Sequence, residues 1–145
     1  TLRPHDPSVR VAVKWRKEPM AKKLLIIDDE PDFANLVRDH LNQAGFEAES
    51  VYSGDEGLAK IRVAKPDLVV LDVMMPGTDG YTICSEIKND QSLRDLPVIL
   101  LTAVASHVPS TRYSHYDGMS MEADDYIAKP ATVAQIEEAI RRLVD

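Results

Sequence analysis

Three short apolar runs constrain this chain more than anything else in it. Residues 24–27, 67–71 and 98–101 carry no polar residue at alternate positions once the leading Asp67 is passed. A strand with one wet face alternates apolar and polar side chains; a run without alternation needs cover on both faces. Between the runs lie segments of helical period. Pro31 stands where a first helical residue belongs, and Phe33, Leu36, Val37, Leu41 and Ala44 mark one face up to Gly45. Residues 46–51 read as a second strand. Ser53 and Glu56 have the spacing of a capping box, opening a helix with Leu58 and Ile61 inward. A helix over 80–88 buries Ile83, Cys84 and Ile87, with Asp79 as its cap. Residues 126–128 form a fifth strand. Thr132 and Gln135 cap a last helix through Val133, Ile136, Ile140 and Leu143.

This alternation predicts an α/β fold: a doubly wound, five-stranded parallel sheet with about five helices on its two faces. One region does not fit a regular helix. Residues 105–119 have poor helical period and contain Pro109 and Gly118, so the fourth helix is expected to be irregular: short, shifted or partly unwound. Residues 1–19 are polar, aperiodic and carry Pro4, Pro7 and Pro19. They predict a flexible N-terminal extension over 1–21, native or added, before a domain over 22–145.

Length and composition bound the function. A chain of 145 residues supports one ordinary core, and 44% apolar with 28% charged residues suits a folded soluble domain. No apolar run approaches the ~18–20 residues of a membrane span, and the first residues hold no secretory signal block. The single cysteine, Cys84, cannot form an internal disulfide. It reads as a small buried apolar residue in a reducing, cytoplasmic setting. The net charge of −7 is uneven. Residues 1–19 carry five basic and two acidic side chains, so the remainder is strongly acidic. An acidic body repels phosphates, which predicts no direct nucleic-acid partner, and nothing predicts a membrane.

In doubly wound sheets, ligands bind beyond the carboxyl ends of the strands. Those ends are chemically loaded here. The first strand runs into Asp28-Asp29-Glu30, the third into Asp72, the fourth into Thr102 and the fifth into Lys129-Pro130. Crowded carboxylates raise one another's pKa unless a cation intervenes. A hard divalent cation resolves that conflict, and Mg²⁺ (with Mn²⁺ as a substitute) keeps waters free for an incoming phosphate. Asp72 is placed as a nucleophile for phosphoryl transfer. Lys129 offers a positive charge and Thr102 a hydroxyl donor to phosphoryl oxygens.

Four stretches carry a resemblance. Leu25-Ile26-Ile27-Asp28-Asp29-Glu30-Pro31 resembles the opening of the response-regulator receiver family of two-component signalling. Leu71-Asp72-Val73-Met74-Met75-Pro76-Gly77-Thr78-Asp79-Gly80, Leu100-Leu101-Thr102-Ala103 and Asp124-Asp125-Tyr126-Ile127-Ala128-Lys129-Pro130 are similar to its later motifs, in order. The resemblance implies a flavodoxin-like strand order of 2-1-3-4-5 and a phosphoacceptor switch, not an enzyme with turnover. It implies Asp72 as phosphoacceptor, with Lys129 and Thr102 holding the phosphoryl group. The implied metal ligands are Asp28, Asp29, Asp72 and the Met74 carbonyl. Thr102 and Tyr126 form the implied switch, and the Lys129–Pro130 bond is expected to be cis. The implied partners are a sensor histidine kinase or phosphotransfer protein, with a small acyl phosphate as an alternative donor, and an unidentified downstream protein. The chain stops at Asp145 with no output domain, which predicts a stand-alone or excised receiver.

Rival readings attach to the same residues. An aspartate-nucleophile phosphohydrolase would carry a second acid two residues past the nucleophile, where this chain has Met74. A structural pseudo-receiver would lack Asp72, Thr102 or Lys129. Asp124 and Asp125 read as turn-forming, solvated acids. His5, His40, His107 and His115 show no metal spacing and read as surface or loop residues, and Tyr52, Tyr81, Tyr113 and Tyr116 as packing or loop residues.

Overall fold

The computed structural model describes residues 20–103 and 123–145. The expected irregular helix over 105–119 and the extension over 1–19 lie outside them. The described elements run β1 (Lys23–Ile27), α1 (Pro31–Gln43), β2 (Glu47–Val51), α2 (Gly54–Val63), β3 (Leu68–Asp72), α3 (Gly80–Lys88), β4 (Val98–Thr102), β5 (Asp125–Ala128) and α4 (Val133–Val144). All neighbouring strands are parallel, in the order β2-β1-β3-β4-β5. The doubly wound fold and its strand order are as expected, with four helices among the described residues.

The two-residue period of the strands explains how unalternated runs are buried. Leu25, Ile27, Val69, Leu71, Val98 and Leu100 face Leu58 and Ile61 of α2 and Ile83 and Ile87 of α3. Their neighbours Leu24, Ile26, Leu68, Val70, Ile99 and Leu101 face Ala34, Val37 and Leu41 of α1 and Ile136 and Ile140 of α4. Two cores therefore share one sheet, and every residue of β3 and β4 is buried.

Local sequence sets the helix ends. Pro31 opens α1, and Gly45 follows it with φ +102°, a conformation that costs glycine little. Thr132 and Gln135 close both bonds of a capping box on α4. The pattern at α2 is different: Ser53 accepts from the Glu56 N–H, but Glu56 reaches back to the Tyr52 N–H at 3.3 Å, not to Ser53. Leu36, expected inward, is 59% exposed. Ala34, Val37 and Leu41 occupy the buried face of α1, and at 3.6 residues per turn Leu36 falls on its far side. The strand limits differ by a residue from those expected: β2 begins at Glu47, β5 at Asp125, and β3 and β4 extend to Asp72 and Thr102.

The N-terminus of α3 is pressed against the end of β3. A Cβ on Gly80 would lie 2.3 Å from the Asp72 carbonyl oxygen. The absent side chain lets the Gly80 N–H donate to the Val73 carbonyl at 3.1 Å. This close approach fixes the backbone that presents Asp72.

Candidate functional site

The strand order reverses at β1: α1 leads outward to β2, and α2 leads back across to β3. The crevice between the ends of β1 and β3 is therefore where a doubly wound sheet offers a site. Asp28 lies just past β1 and Asp72 ends β3; both are buried, at 0% and 1% exposure. Asp29 is half-buried beside them. One carboxylate oxygen from each of Asp28, Asp29 and Asp72 lies within 4.8 Å of the others.

Lys129, just past β5, reaches into this group. Its Nζ stands 3.1 Å from Asp72 Oδ1 and 3.6 Å from both Asp28 Oδ2 and Glu30 Oε1. Nζ also lies over the Phe33 ring, 5.5 Å from its centroid. Asp72 Oδ1 also accepts from the Met74 N–H at 3.3 Å. Asp28 Oδ1 accepts from the Glu30 N–H at 2.9 Å. Asp28 Oδ2 is buried without a hydrogen-bond partner; Lys129 balances its charge from a separation too long for a hydrogen bond.

The charges follow from this geometry. Burial, and then the charge on Asp28, push the Asp72 carboxyl up to about 6, against the opposing pull of Lys129 and the Met74 N–H. Burial raises Asp28 too, opposed by the Glu30 N–H and Lys129. For Lys129, burial acts downward, but Asp72, Asp28 and Glu30 together hold it above the ordinary lysine range. One ammonium thus faces more negative charge than it can neutralise. The donor set fits a metal ion: three carboxylates converge and one buried oxygen has no donor.

Thr102 ends β4, 1% exposed, and pairs with Ala128. Its carbonyl accepts from the Lys129 N–H at 2.7 Å, so Thr102 and Lys129 end adjacent strands together. The Lys129–Pro130 bond is cis, as expected. Tyr126 pairs with Leu100, and its half-buried ring joins the core face of α2 and α3 together with Tyr81. Its hydroxyl oxygen accepts from the Ala123 N–H at 3.2 Å. The Met74 side chain is exposed.

Several readings need correction. Asp124 and Asp125 are not merely solvated. Asp124 Oδ2 accepts from the Val98 N–H and from Lys88 Nζ, each at 2.8 Å, and Asp125 pairs with Arg142 at 3.2 Å. Tyr52 does more than pack: its hydroxyl donates to Asn35 Oδ1 at 2.8 Å. His40 is a helix residue whose Nε2 meets Glu137 Oε1 at 2.7 Å, joining α1 to α4. Cys84 is buried, as expected, and burial pushes its thiol up to about 12. Sequence reasoning gave no site role to Glu30 or Phe33. Their signal was their position, in the turn that links the first strand to its helix.

A sheet of this order, with three acidic side chains and a lysine gathered at its carboxyl edge, defines a doubly wound α/β domain with a charged switch point. The response regulator receiver domain model matches residues 24–141. The chain belongs to that family, and so is a signalling domain of two-component systems. It is 36% identical over 123 residues to the probable transcriptional regulator ycf27 of Cyanophora paradoxa, covering 85% of this chain and 48% of that protein. It is 34% identical over 122 residues to the DNA-binding dual master transcriptional regulator RpaA of Synechocystis, covering 84% and 48%. The signal receiver domain of a signal transduction histidine kinase from Syntrophus aciditrophicus superposes with a TM-score of 0.74 at 33% identity, covering 86% of this chain and 90% of that one. The chain spans about half the length of the curated relatives it matches. Those names qualify the expectation of no nucleic-acid partner, which rests on this acidic segment alone. Among the described residues, no helix is long and apolar enough to cross a membrane.

Proposed function

We propose that this domain is a phosphoacceptor switch that takes a phosphoryl group on Asp72 from a histidine kinase, a phosphotransfer protein or a small acyl phosphate. The observation that carries the reading is the convergence of Asp28, Asp29 and Asp72 with Lys129 at one sheet edge. Asp28, Asp29, Asp72 and the Met74 carbonyl would hold Mg²⁺. When bound, that ion neutralises carboxylate charge and the charge that develops on the transferring group.

The residues of the chain do the rest. Lys129 and the Met74 N–H both engage Asp72 Oδ1, so the carboxylate is held in one orientation with its other oxygen available for attack. That oxygen forms a new P–O bond while the donor's P–N or P–O bond breaks, and the leaving group keeps the electron pair. Lys129 then follows the negative charge outward to the phosphoryl oxygens, and Thr102 donates its hydroxyl hydrogen to them. Met74 stands where a hydrolase would need a proton-transferring acid, and a thioether cannot serve. This favours a stored acyl phosphate over rapid turnover.

The switch pair is Thr102 and Tyr126. Thr102 lies two residues past Leu100, so both project to the face where Tyr126 packs. Movement of Thr102 toward the phosphoryl group would free space for the Tyr126 ring. The domain over 22–145 is the switch unit, and its cytoplasmic setting and downstream target belong to this same reading.

Incubation with acetyl phosphate and Mg²⁺, followed by intact mass, tests the proposal. One phosphoryl addition is expected in the wild type, with none in Asp72→Asn and none in wild type with chelator. A stable adduct on Asp72→Asn would overturn the assignment.

A further inference from the structure

We propose that Phe33 is a positioning residue for Lys129, its ring face holding the ammonium at the mouth of the site where the phosphoryl group arrives. This rests on the phosphoacceptor reading and names a residue that the reading does not use.

Phe33 sits in the first turn of α1, and its half-buried ring is anchored on the core beneath α1 and α4. Lys129 Nζ lies 5.5 Å from the ring centroid, inside the ~6 Å reach of a cation over an aromatic face. The closest charged neighbours of Nζ are all carboxylates: Asp72 at 3.1 Å, and Asp28 and Glu30 at 3.6 Å. Carboxylate contacts are directional, and phosphorylation redistributes the charge among them. Asp72 loses its own negative charge as the acyl phosphate forms, and new charged oxygens appear farther out. The ammonium has to move with that charge.

An aromatic face suits such movement. It attracts a cation through its quadrupole yet presents no lone-pair acceptor that must be broken from, so the ammonium can shift across it. The ring also limits the freedom of a long, flexible lysine stem, which otherwise loses much rotamer entropy when it is fixed. A cleft of about 520 Å³ opens beside this pair, lined by Glu30, Phe33, Ala103, Lys129, Pro130 and Ala131. The donor can therefore approach the ammonium that Phe33 supports. The fully buried face of α1 is supplied by Ala34, Val37 and Leu41, with the Phe33 ring packed at its edge.

The test compares the full chain as wild type, Phe33→Leu and Phe33→Tyr. Leucine keeps apolar bulk without a π face; tyrosine keeps the face. Two readouts are taken: the rate of phosphorylation by acetyl phosphate at saturating Mg²⁺, and the NMR shift of the Lys129 ε-methylene protons. We expect Phe33→Leu to slow phosphorylation about two- to fivefold, the size of a surface cation–π contact. We expect Phe33→Tyr to stay within about twofold of wild type. The upfield ring shift of the ε-methylene should be present in wild type and Phe33→Tyr and lost in Phe33→Leu. A wild-type rate in Phe33→Leu, a tyrosine variant as slow as leucine, or an ε-methylene shift that ignores the substitution would each overturn the role. A wild type that accepts no phosphoryl group would instead defeat the phosphoacceptor reading, while the ring shift would still report whether Phe33 holds Lys129.

Discussion

In the metal-free protein Asp72 ionises against burial and against Asp28, only partly helped by Lys129, which places its titration at about 6 instead of near 3.8. The folded protein then binds more protons than the unfolded chain between those two values. Stability of the metal-free protein should fall as pH rises through that window, by on the order of 2–3 kcal/mol from this group. Asp72→Asn removes the ionisation, so at pH 7 it should raise the metal-free unfolding midpoint and flatten the pH dependence. Urea melts at pH 5 and pH 7.5 in chelator check this; equal slopes in both proteins would refute it. Asp29 belongs to the same crowd but is half-buried. Asp29→Ala should weaken Mg²⁺ binding at least about tenfold while leaving the fold intact, since it removes a ligand and not a core side chain. Calorimetric titration with Mg²⁺ reads this directly, and an unchanged affinity would remove Asp29 from the ligand set.

At the level of elements, the site depends on how closely helices meet strand ends. Gly80 is the sharpest case. A Cβ there would meet the Asp72 carbonyl oxygen at 2.3 Å and the Val73 Cα at 2.7 Å, and both are backbone. Backbone cannot yield as a flexible side chain can, so Gly80→Ala should cost about 1–3 kcal/mol. Because the displaced atom belongs to Asp72, phosphorylation should slow as well. Denaturant midpoints combined with acetyl phosphate kinetics test both effects; a variant as stable and as fast as wild type would show that α3 can move off β3 freely. The opposite end of the sheet is tied differently. Lys88, half-buried at the end of α3, donates to the Leu96 carbonyl at 2.9 Å and to Asp124 at 2.8 Å, and so joins α3 to the starts of β4 and β5. This linkage serves stability, far from the carboxylates.

Across the whole molecule, the proposed switch would run through β4 and β5. Thr102 and Lys129 end adjacent strands and share a backbone hydrogen bond, and Tyr126 lies on the face toward which Thr102 projects. Phosphorylation replaces the Asp72 carboxylate charge with a phosphoryl group of roughly −1.5 to −2 charges farther out, which Thr102 would report by moving toward it. A bias of roughly 5.5 kcal/mol carries a two-state switch from 1:99 to 99:1. Thr102→Ala should therefore still accept a phosphoryl group on Asp72 but lose most of the response at Tyr126. Hydrogen exchange of the β5 amides and the ring resonances of Tyr126, with and without beryllofluoride, would measure this. An equal response in wild type and variant would remove Thr102 from the coupling path.

Much of this protein was legible without coordinates. Unalternated apolar runs specify strands covered on both faces, because no other arrangement hides such side chains from water. Thr132 with Gln135, and Asp79, announced helix starts because capping is a contact among residues three apart. The loaded strand ends Asp28, Asp29, Asp72, Thr102 and Lys129 were visible because a parallel sheet brings all its carboxyl ends to one edge. Tertiary structure alone decided the remainder. Leu36 turned outward because the buried face of α1 is set by what the sheet presents, and the apolar pattern is broader than that face. Asp124 gained Lys88 from 36 residues away. Lys129 came to lie between Phe33, Glu30 and two buried carboxylates. Those partners meet only when β5 is laid beside β4 and α1 beside β1. Local propensity acts over a few residues, whereas charge and packing act through space, so the balance at Asp72 belongs to the folded chain.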